Sequence, residues 1–176
     1  MSESQLRHVE PPGRATRLLA VAAFAGAAAS ASALGAAATR RSIRSPWYRL
    51  LEKPSYQPPS WVFPPVWTTL YALIATSGYR VWRSGSPSRR RALGLWSAQL
   101  ALNAAWSPVF FGARRPRAAL GIAAALVPAV GAYSWAARRA DHAAAVMMLP
   151  YLGWSGFALA LNASIVRRNR RVLARR

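Results

Sequence analysis

Five long segments without a charged residue determine what this chain can fold into. Each has at least 20 residues free of Asp, Glu, Lys, Arg and His, and they are 18–39, 54–79, 92–113, 118–137 and 143–166. At about 1.5 Å rise per residue, about 20 helical residues cross the roughly 30 Å hydrocarbon core of a bilayer. The segments therefore predict an all-α integral membrane protein, a bundle of five transmembrane helices.

The charge of the chain agrees with that prediction. There are 24 basic and 4 acidic residues, a formal net charge of +20, which in a soluble protein would indicate nucleic-acid binding. Here the basic residues lie in the breaks between the uncharged segments, because an arginine at the bilayer centre costs about 2.5–3.5 kcal/mol. We therefore expect the lipid bilayer, and no nucleic acid, as a partner.

The ends of the chain and its location follow from the same pattern. We predict a polar N-terminal tail at 1–16, a transmembrane domain at 17–168 and a basic C-terminal tail at 169–176. Segment 18–39 has an alternative, a cleavable signal peptide, because it follows arginines and contains small residues. The basic residues favour an inside C-terminus only modestly. Arginine in place of lysine, with abundant alanine, suggests a bacterial cell membrane.

The stretch 47–82 holds four tryptophans, four tyrosines and five prolines. Prolines fix φ and remove backbone donors, and indole rings prefer the boundary between hydrocarbon and water. Residues 47–59, named the lid from here on, are predicted to cover the bundle. Trp67 and Tyr71, farther along, are predicted to line a pocket.

Helical spacing places aromatic and amide side chains on common faces. Amides are costly in lipid unless they face protein, so these faces are predicted to point into the bundle. The alternative is that the amides only join helices and that the indoles only pack. The faces comprise Trp67, Leu70, Tyr71 and Ile74; Gln99, Asn103 and Trp106; and Trp154, Phe157, Ala158, Leu161 and Asn162.

Three blocks of the sequence are similar to a known family. WYRLLEKPSYQPPSWVFPPVWTTLY, QLALNAAWSPVFFGAR and LPYLGWSGFALALN resemble the signature blocks of the translocator proteins, also called tryptophan-rich sensory proteins or peripheral-type benzodiazepine receptors. The resemblance implies a five-helix bundle, commonly a homodimer, which binds porphyrins such as protoporphyrin IX, haem, sterols or benzodiazepine-type drugs. It also implies roles for Trp67 and Trp154 in light-dependent porphyrin degradation.

Carried over residue by residue, the resemblance and the helical faces give one ligand-binding set. Its members are Tyr48, Pro58, Trp67, Tyr71, Asn103, Trp106, Trp154, Phe157, Ala158 and Leu161. A flat macrocycle gains from stacking on indoles, and its propionates need cations, for which Arg49, Lys53 and Arg114 are candidates. We expect no obligatory cofactor and no metal, since His8 and His142 lie away from the pocket faces. The tyrosine of the family's cholesterol motif is missing at Ala163 and Ser164, which makes a sterol ligand less favoured.

Three functions remain open at this point. The first is a tetrapyrrole-binding sensor or scavenger, with light-dependent degradation as an added activity. The second is a transporter of porphyrins, sterols or other lipophilic molecules, without proton coupling because the spans hold no ionisable residue. The third is a regulatory membrane partner. Two pairs of small residues at four-residue spacing, Gly94 with Ala98 and Ala101 with Ala105, predict a homodimer interface or, as the alternative, a close contact between helices of one chain.

Overall fold

The computed structural model describes residues 13–171, in which helices are joined by loops and no strand is present. The helices are α1 (Arg14–Ser42), α2 (Pro46–Leu50), α3 (Phe63–Arg83), α4 (Arg89–Ser107), α5 (Pro116–Arg138), α6 (His142–Val146) and α7 (Leu149–Arg168). A 3₁₀ turn, Ser60–Val62, precedes α3, and a π-helical turn, Pro108–Gly112, continues α4.

The five long helices pack side by side in the order α3, α1, α4, α5, α7. Helices α3 and α7 stand at the two ends of this order. They also touch each other, but this contact is slighter than any between successive helices in the order. Ile74, Val130 and Tyr151 are fully buried at the centre, each from a different helix. At one end of the bundle α1 and α7 finish while α3 and α5 begin, and the lid lies there; this end is called the lid end.

Three stretches are long and apolar enough to cross a membrane, by length and composition: Arg14–Ser42, Pro116–Arg138 and His142–Arg168. The count of five spans is therefore not confirmed by this measure, because α3 and α4 carry more polar residues. In α3, the hydroxyls of Thr68, Thr69 and Thr76 each donate to the carbonyl four residues earlier. This satisfies the hydroxyls within the helix.

The predicted border between the N-terminal tail and the transmembrane domain lies three residues after the start of α1, whereas the predicted C-terminal border coincides with the end of α7. Helix α1 begins at Arg14, so residues 14–16 of the predicted tail are helical. Helix α7 ends at Arg168, one residue before the predicted C-terminal tail. Residues 1–12 and 172–176, which make up most of both tails, lie outside the described residues.

The end opposite the lid is held by Asp141. Its carboxylate accepts from the N–H of Ala144 at 3.0 Å, which caps α6, and pairs with Arg80 of α3 at 3.0 Å. Burial alone would raise the pKa of Asp141, but the bonds from Ala144 and Arg80 outweigh it and hold that pKa below its usual value. The carboxylate therefore stays ionised and ties α3 to the connection between α5 and α7.

Candidate ligand site between α3, α7 and the lid

The two predicted catalytic tryptophans lie on α3 and α7, the loosely packed pair. The ring of Trp67 is 5.4 Å from that of Tyr71 and 6.4 Å from that of Tyr151. The ring of Trp154 is 5.9 Å from Phe63 and 5.3 Å from Phe157. Both indoles are partly buried and pack against one hydrophobic cluster. Together these rings form an aromatic wall on the two helices.

The amides of α4 lie inside the bundle, as helical spacing predicted. Asn103 is 6% exposed, and its Oδ1 accepts from the hydroxyl of Tyr71 at 2.6 Å. Gln99 is fully buried and donates to the carbonyl of Trp96 at 2.9 Å. The bond from Tyr71 joins α3 to α4 next to the aromatic wall.

Polar side chains of α4 and α7 lie beside this wall. Oε1 of Gln99 is buried without a hydrogen-bond partner. Tyr151 and Ser155 lie one turn apart on α7, the helix that carries Trp154, and both are buried. The hydroxyl of Tyr151 is within hydrogen-bonding reach of Ser155 and of Asn103. These side chains therefore form a polar group next to the rings.

A second group of predicted residues lies where the lid meets the bundle, with Tyr48 in the lid and Trp106 and Leu161 beneath it. The ring of Trp106 stacks on Phe110 at 5.1 Å, and the ring of Tyr48 lies 5.5 Å from Phe111. Leu161 packs against the same cluster. The structure thus divides the predicted ligand residues into a wall on α3 and α7 and a group under the lid. Asn103 and Trp106 of α4 connect the two.

Asn162 has a structural role. Its Oδ1 accepts from the indole N–H of Trp106 at 3.2 Å, and its Nδ2 donates to the carbonyl of Pro116 at 3.1 Å. The side chain is 1% exposed. It therefore joins α4, α5 and α7, which favours the alternative that this amide holds helices together.

Side chains of the lid reach the site from above. Tyr56 donates from its hydroxyl to the carbonyl of Ala160 at 3.3 Å, and its ring lies 6.3 Å from Phe157. Pro58 and Ala158 are both partly buried. The lid is thus in contact with α7 along the helix that carries Trp154.

Cations line the lid beside the aromatic group. The ammonium of Lys53 lies 4.4 Å from the ring centre of Tyr48, a cation–π contact. Burial raises the pKa of the Tyr48 phenol above its ordinary value, so this phenol is neutral near pH 7 and able to donate. Arg49 and Arg114 are exposed, and Arg114 adopts a positive φ of 54°.

One residue that the sequence analysis missed fixes the lid in place. Asn169 accepts from the N–H of Glu52 at 3.0 Å and donates to the carbonyl of Glu52 at 2.9 Å. The same Nδ2 also donates to the carbonyl of Ile165, which caps the end of α7. Asn169 is 2% exposed. Its position just after a long apolar helix is a C-cap signal that could have identified it.

Replacing Asn169 with alanine is expected to release the lid. Two hydrogen bonds to Glu52 would be lost, each worth about 1 kcal/mol, so amide exchange at Glu52 should accelerate about tenfold or more. Hydrogen exchange with mass spectrometry of the purified protein measures this. Arg168→Ala, an exposed neighbour, is the control and should leave exchange in the lid unchanged. Equal protection of the lid in Asn169→Ala and wild type would show that the amide does not hold it.

Comparison with known proteins identifies the family. The model of the TspO/MBR family matches residues 20–168, almost the whole described chain. The chain belongs to the TspO/MBR family. This confirms the resemblance that the three sequence blocks indicated, and with the apolar helices it makes the chain an all-helical membrane protein.

Relatives in the TspO/MBR family come from bacteria, mammals and archaea. The tryptophan-rich sensory protein of Cereibacter sphaeroides is 40% identical over 140 residues, which cover 78% of this chain and 87% of the relative. The human translocator protein is 41% identical over 126 residues, or 70% of this chain and 75% of the relative. A tryptophan-rich protein TspO of Archaeoglobus fulgidus is 40% identical over 130 residues.

The small-residue face of α4 is uncovered in this TspO/MBR chain. Gly94, Ala98 and Ala101 are exposed and Ala105 is partly buried. The face is therefore open to a partner, and the homodimer stays a prediction.

Three residues beside the aromatic wall were absent from the predicted set, although helical spacing could have found them. Tyr151 lies three residues before Trp154, Ser155 lies four residues after Tyr151, and Phe63 lies one turn before Trp67.

Proposed function

We propose that this protein binds tetrapyrroles of the protoporphyrin IX or haem type and acts as a sensor or scavenger in a bacterial cell membrane. The observation that carries the proposal is the placement of Trp67 and Trp154 on α3 and α7, the loosely packed pair, under a lid with cations. A flat macrocycle stacks favourably on such rings. We name no obligatory cofactor; the porphyrin is the ligand.

The proposal includes five membrane spans, α1, α3, α4 with its π turn, α5 and α7. Helix α3 has 21 residues, about 32 Å at 1.5 Å per residue, enough to cross the hydrocarbon core. The buried amides of α4 face the bundle and the threonines of α3 bond within the helix, so neither set needs to be exposed unpaired to lipid.

The polar groups of the site suit the edges of a porphyrin. Its propionates would lie toward Arg49, Lys53 and Arg114, with the neutral phenol of Tyr48 as a donor. The hydroxyls of Tyr151 and Ser155 would bond to polar substituents deeper in the site. A sterol, with one hydroxyl and no charge, would use few of these groups.

Light-dependent degradation is the second part of the proposal. A photoexcited porphyrin is a strong oxidant, and indole is the most readily oxidised aromatic side chain. The excited porphyrin would take one electron from the indole of Trp67 or Trp154, which leaves a porphyrin radical anion and an indole radical cation. Dioxygen would add to a methine carbon of the radical anion and form a C–O bond. The adduct would then return one electron to the indole cation, so that the tryptophan is restored and the net reaction adds one dioxygen to the macrocycle and opens it. Homodimers would form through the α4 face of Gly94, Ala98, Ala101 and Ala105.

A saturable porphyrin titration tests the binding proposal. Protoporphyrin IX added in the dark should quench tryptophan fluorescence and reach a plateau near one ligand per chain. Lys53→Gln should weaken binding by up to about fivefold, as expected for an exposed charge pair. Protoporphyrin dimethyl ester, which lacks the charges, should bind the variant and wild type equally. Quenching that rises linearly without a plateau would contradict a defined site.

The alternative is a transporter of porphyrins, sterols or other lipophilic molecules. The slight backbone contact between α3 and α7 favours it, because only side chains such as Trp67 and Trp154 would have to move for a ligand to pass between these helices. The human relative is named translocator protein. Porphyrin entry into liposomes that contain the protein, compared with empty liposomes, distinguishes transport from binding.

A further inference from the structure

An open groove of about 340 Å³ lies on the outside of the bundle, between α5 and α7 and below the lid. Its floor is mostly apolar and is formed by Leu120 of α5 and by Ala160, Ala163, Ser164 and Val166 of α7. Tyr56 of the lid borders one side. The groove is separate from the aromatic wall on α3 and α7, and none of the predicted ligand residues lines it.

Two arginines stand at the mouth of this groove. Arg167 and Arg170 line it, and both are exposed. Ala160 precedes Arg167 by seven residues, so the apolar floor extends about 10 Å along the helix from the first charge. The groove thus joins a cationic mouth to an apolar floor that runs along α7.

The surroundings of the mouth are strongly positive. Within residues 13–171, the acidic side chains are Glu52 in the lid and Asp141 at the opposite end, and Asp141 is paired with Arg80. Basic pockets between transmembrane helices attract acidic lipid head groups. The basic residues of the lid end are Arg40, Arg41, Arg44, Arg49, Lys53, Arg114, Arg115, Arg117, Arg167, Arg168, Arg170 and Arg171.

We propose that this groove binds an anionic phospholipid. The phosphate would lie between Arg167 and Arg170, whose guanidinium groups match phosphate geometry. One acyl chain would cover the floor of Leu120, Ala160 and Ala163. The charge complementarity selects this occupant over a neutral lipid or sterol, which would leave the two cations without a counterpart.

The groove also connects the lipid to the lid. Tyr56 borders it and donates to the carbonyl of Ala160, which belongs to the groove floor. Arg170 is next to Asn169, which holds Glu52 of the lid. A bound lipid would therefore touch the lid on one side and adjoin its anchor on the other.

Arginines at the end of α7 also have general roles that do not involve a bound lipid, and the experiment must separate these roles from lipid binding. Cations near a helix C-terminus interact favourably with the helix dipole and favour an inside position for that end. Arg168 and Arg171 serve those purposes equally well but do not line the groove. They provide a control that removes the same charge from the same end.

Native mass spectrometry of the purified full chain in detergent tests the proposal. Dioleoylphosphatidylglycerol, dioleoylphosphatidylcholine and cholesterol are added separately at one molar ratio. We expect the phosphatidylglycerol adduct to exceed the phosphatidylcholine adduct about tenfold, as two interfacial arginines imply. Arg167→Gln with Arg170→Gln should remove that preference. Arg168→Gln with Arg171→Gln should keep most of it.

A second variant keeps the charges and fills the groove. Ala163→Phe should reduce the phosphatidylglycerol adduct severalfold although both arginines remain, because the acyl chain loses its place. The proposal would be overturned if wild type retained phosphatidylglycerol and phosphatidylcholine equally. It would also be overturned if the preference for phosphatidylglycerol were lost equally in the Arg167 and Arg170 variant and in the Arg168 and Arg171 variant. Retention of cholesterol above phosphatidylglycerol would overturn it too, since the occupant would then be a neutral sterol. An undiminished adduct in Ala163→Phe would show that the groove is not the site.

Discussion

Replacing both Trp67 and Trp154 with phenylalanine is expected to reduce the light-dependent loss of bound protoporphyrin to the rate of the free pigment. Phenylalanine keeps a ring for stacking but cannot be oxidised by the excited porphyrin. Binding in the dark should weaken only by about 1 kcal/mol, or about fivefold, because aromatic contact is preserved. Absorbance of the bound porphyrin under constant illumination measures the first effect, and a dark titration measures the second.

The matched control removes two tryptophans from elsewhere. Trp82 lies near the end of α3 opposite the lid, and Trp135 is 59% exposed on α5. In the double variant Trp82→Phe with Trp135→Phe, bound porphyrin should bleach under light at the wild-type rate. If the Trp67 and Trp154 variant bleached at the wild-type rate, the degradation mechanism would be wrong. Saturable dark binding would remain as separate support for a tetrapyrrole site.

Replacing Gly78 with alanine is expected to destabilise the bundle by about 1–3 kcal/mol, the usual cost of overpacking. A Cβ atom at Gly78 would lie 2.7 Å from Cδ1 of Phe24 and 2.7 Å from Nε1 of Trp96. Neither ring can retreat freely. The indole of Trp96 donates to the carbonyl of Ile74 at 2.9 Å and packs edge-on against Phe24, with ring centres 5.0 Å apart. Helices α1, α3 and α4 meet at this point.

Thermal unfolding in detergent, followed by tryptophan fluorescence, measures the loss. The midpoint for Gly78→Ala should fall by several degrees. Gly121 offers the control, since it is exposed on α5 and a Cβ there would meet nothing within 4 Å. Alanine in place of a helical glycine is intrinsically favourable, so Gly121→Ala should leave the midpoint unchanged or raise it. A midpoint for Gly78→Ala equal to that of wild type would show that α1 and α4 pack less closely on α3.

The ends of most helices could be predicted because charge fixes them. Uncharged segment 118–137 corresponds to α5, Pro116–Arg138, and 92–113 covers most of α4 and its π turn. The segment 54–79 was too long as a span, since α3 begins only at Phe63 after the prolines of the lid. Segment 143–166 divides into α6 and α7. An absence of charge shows that residues tolerate lipid, but it does not show where the chain turns.

The candidate site could be predicted only in part for a related reason. Helical spacing shows which residues of one helix share a face, and the buried positions of Gln99, Asn103 and Asn162 confirm the inward faces. Helical spacing does not show how one helix is rotated against another. It therefore could not predict that Trp106 lies apart from the aromatic wall on α3 and α7, or that its indole bonds to Asn162.

The bond between Asn169 and Glu52 has a consequence for biosynthesis. The two residues are 117 positions apart, so this anchor of the lid cannot form until residue 169 has left the ribosome and α7 has inserted. Contacts of such long range form late in folding. Before then, the lid would be held only by contacts with earlier residues, such as that between the rings of Tyr48 and Phe111. The bond from Asn169 would therefore be among the last steps that fix the lid over the site.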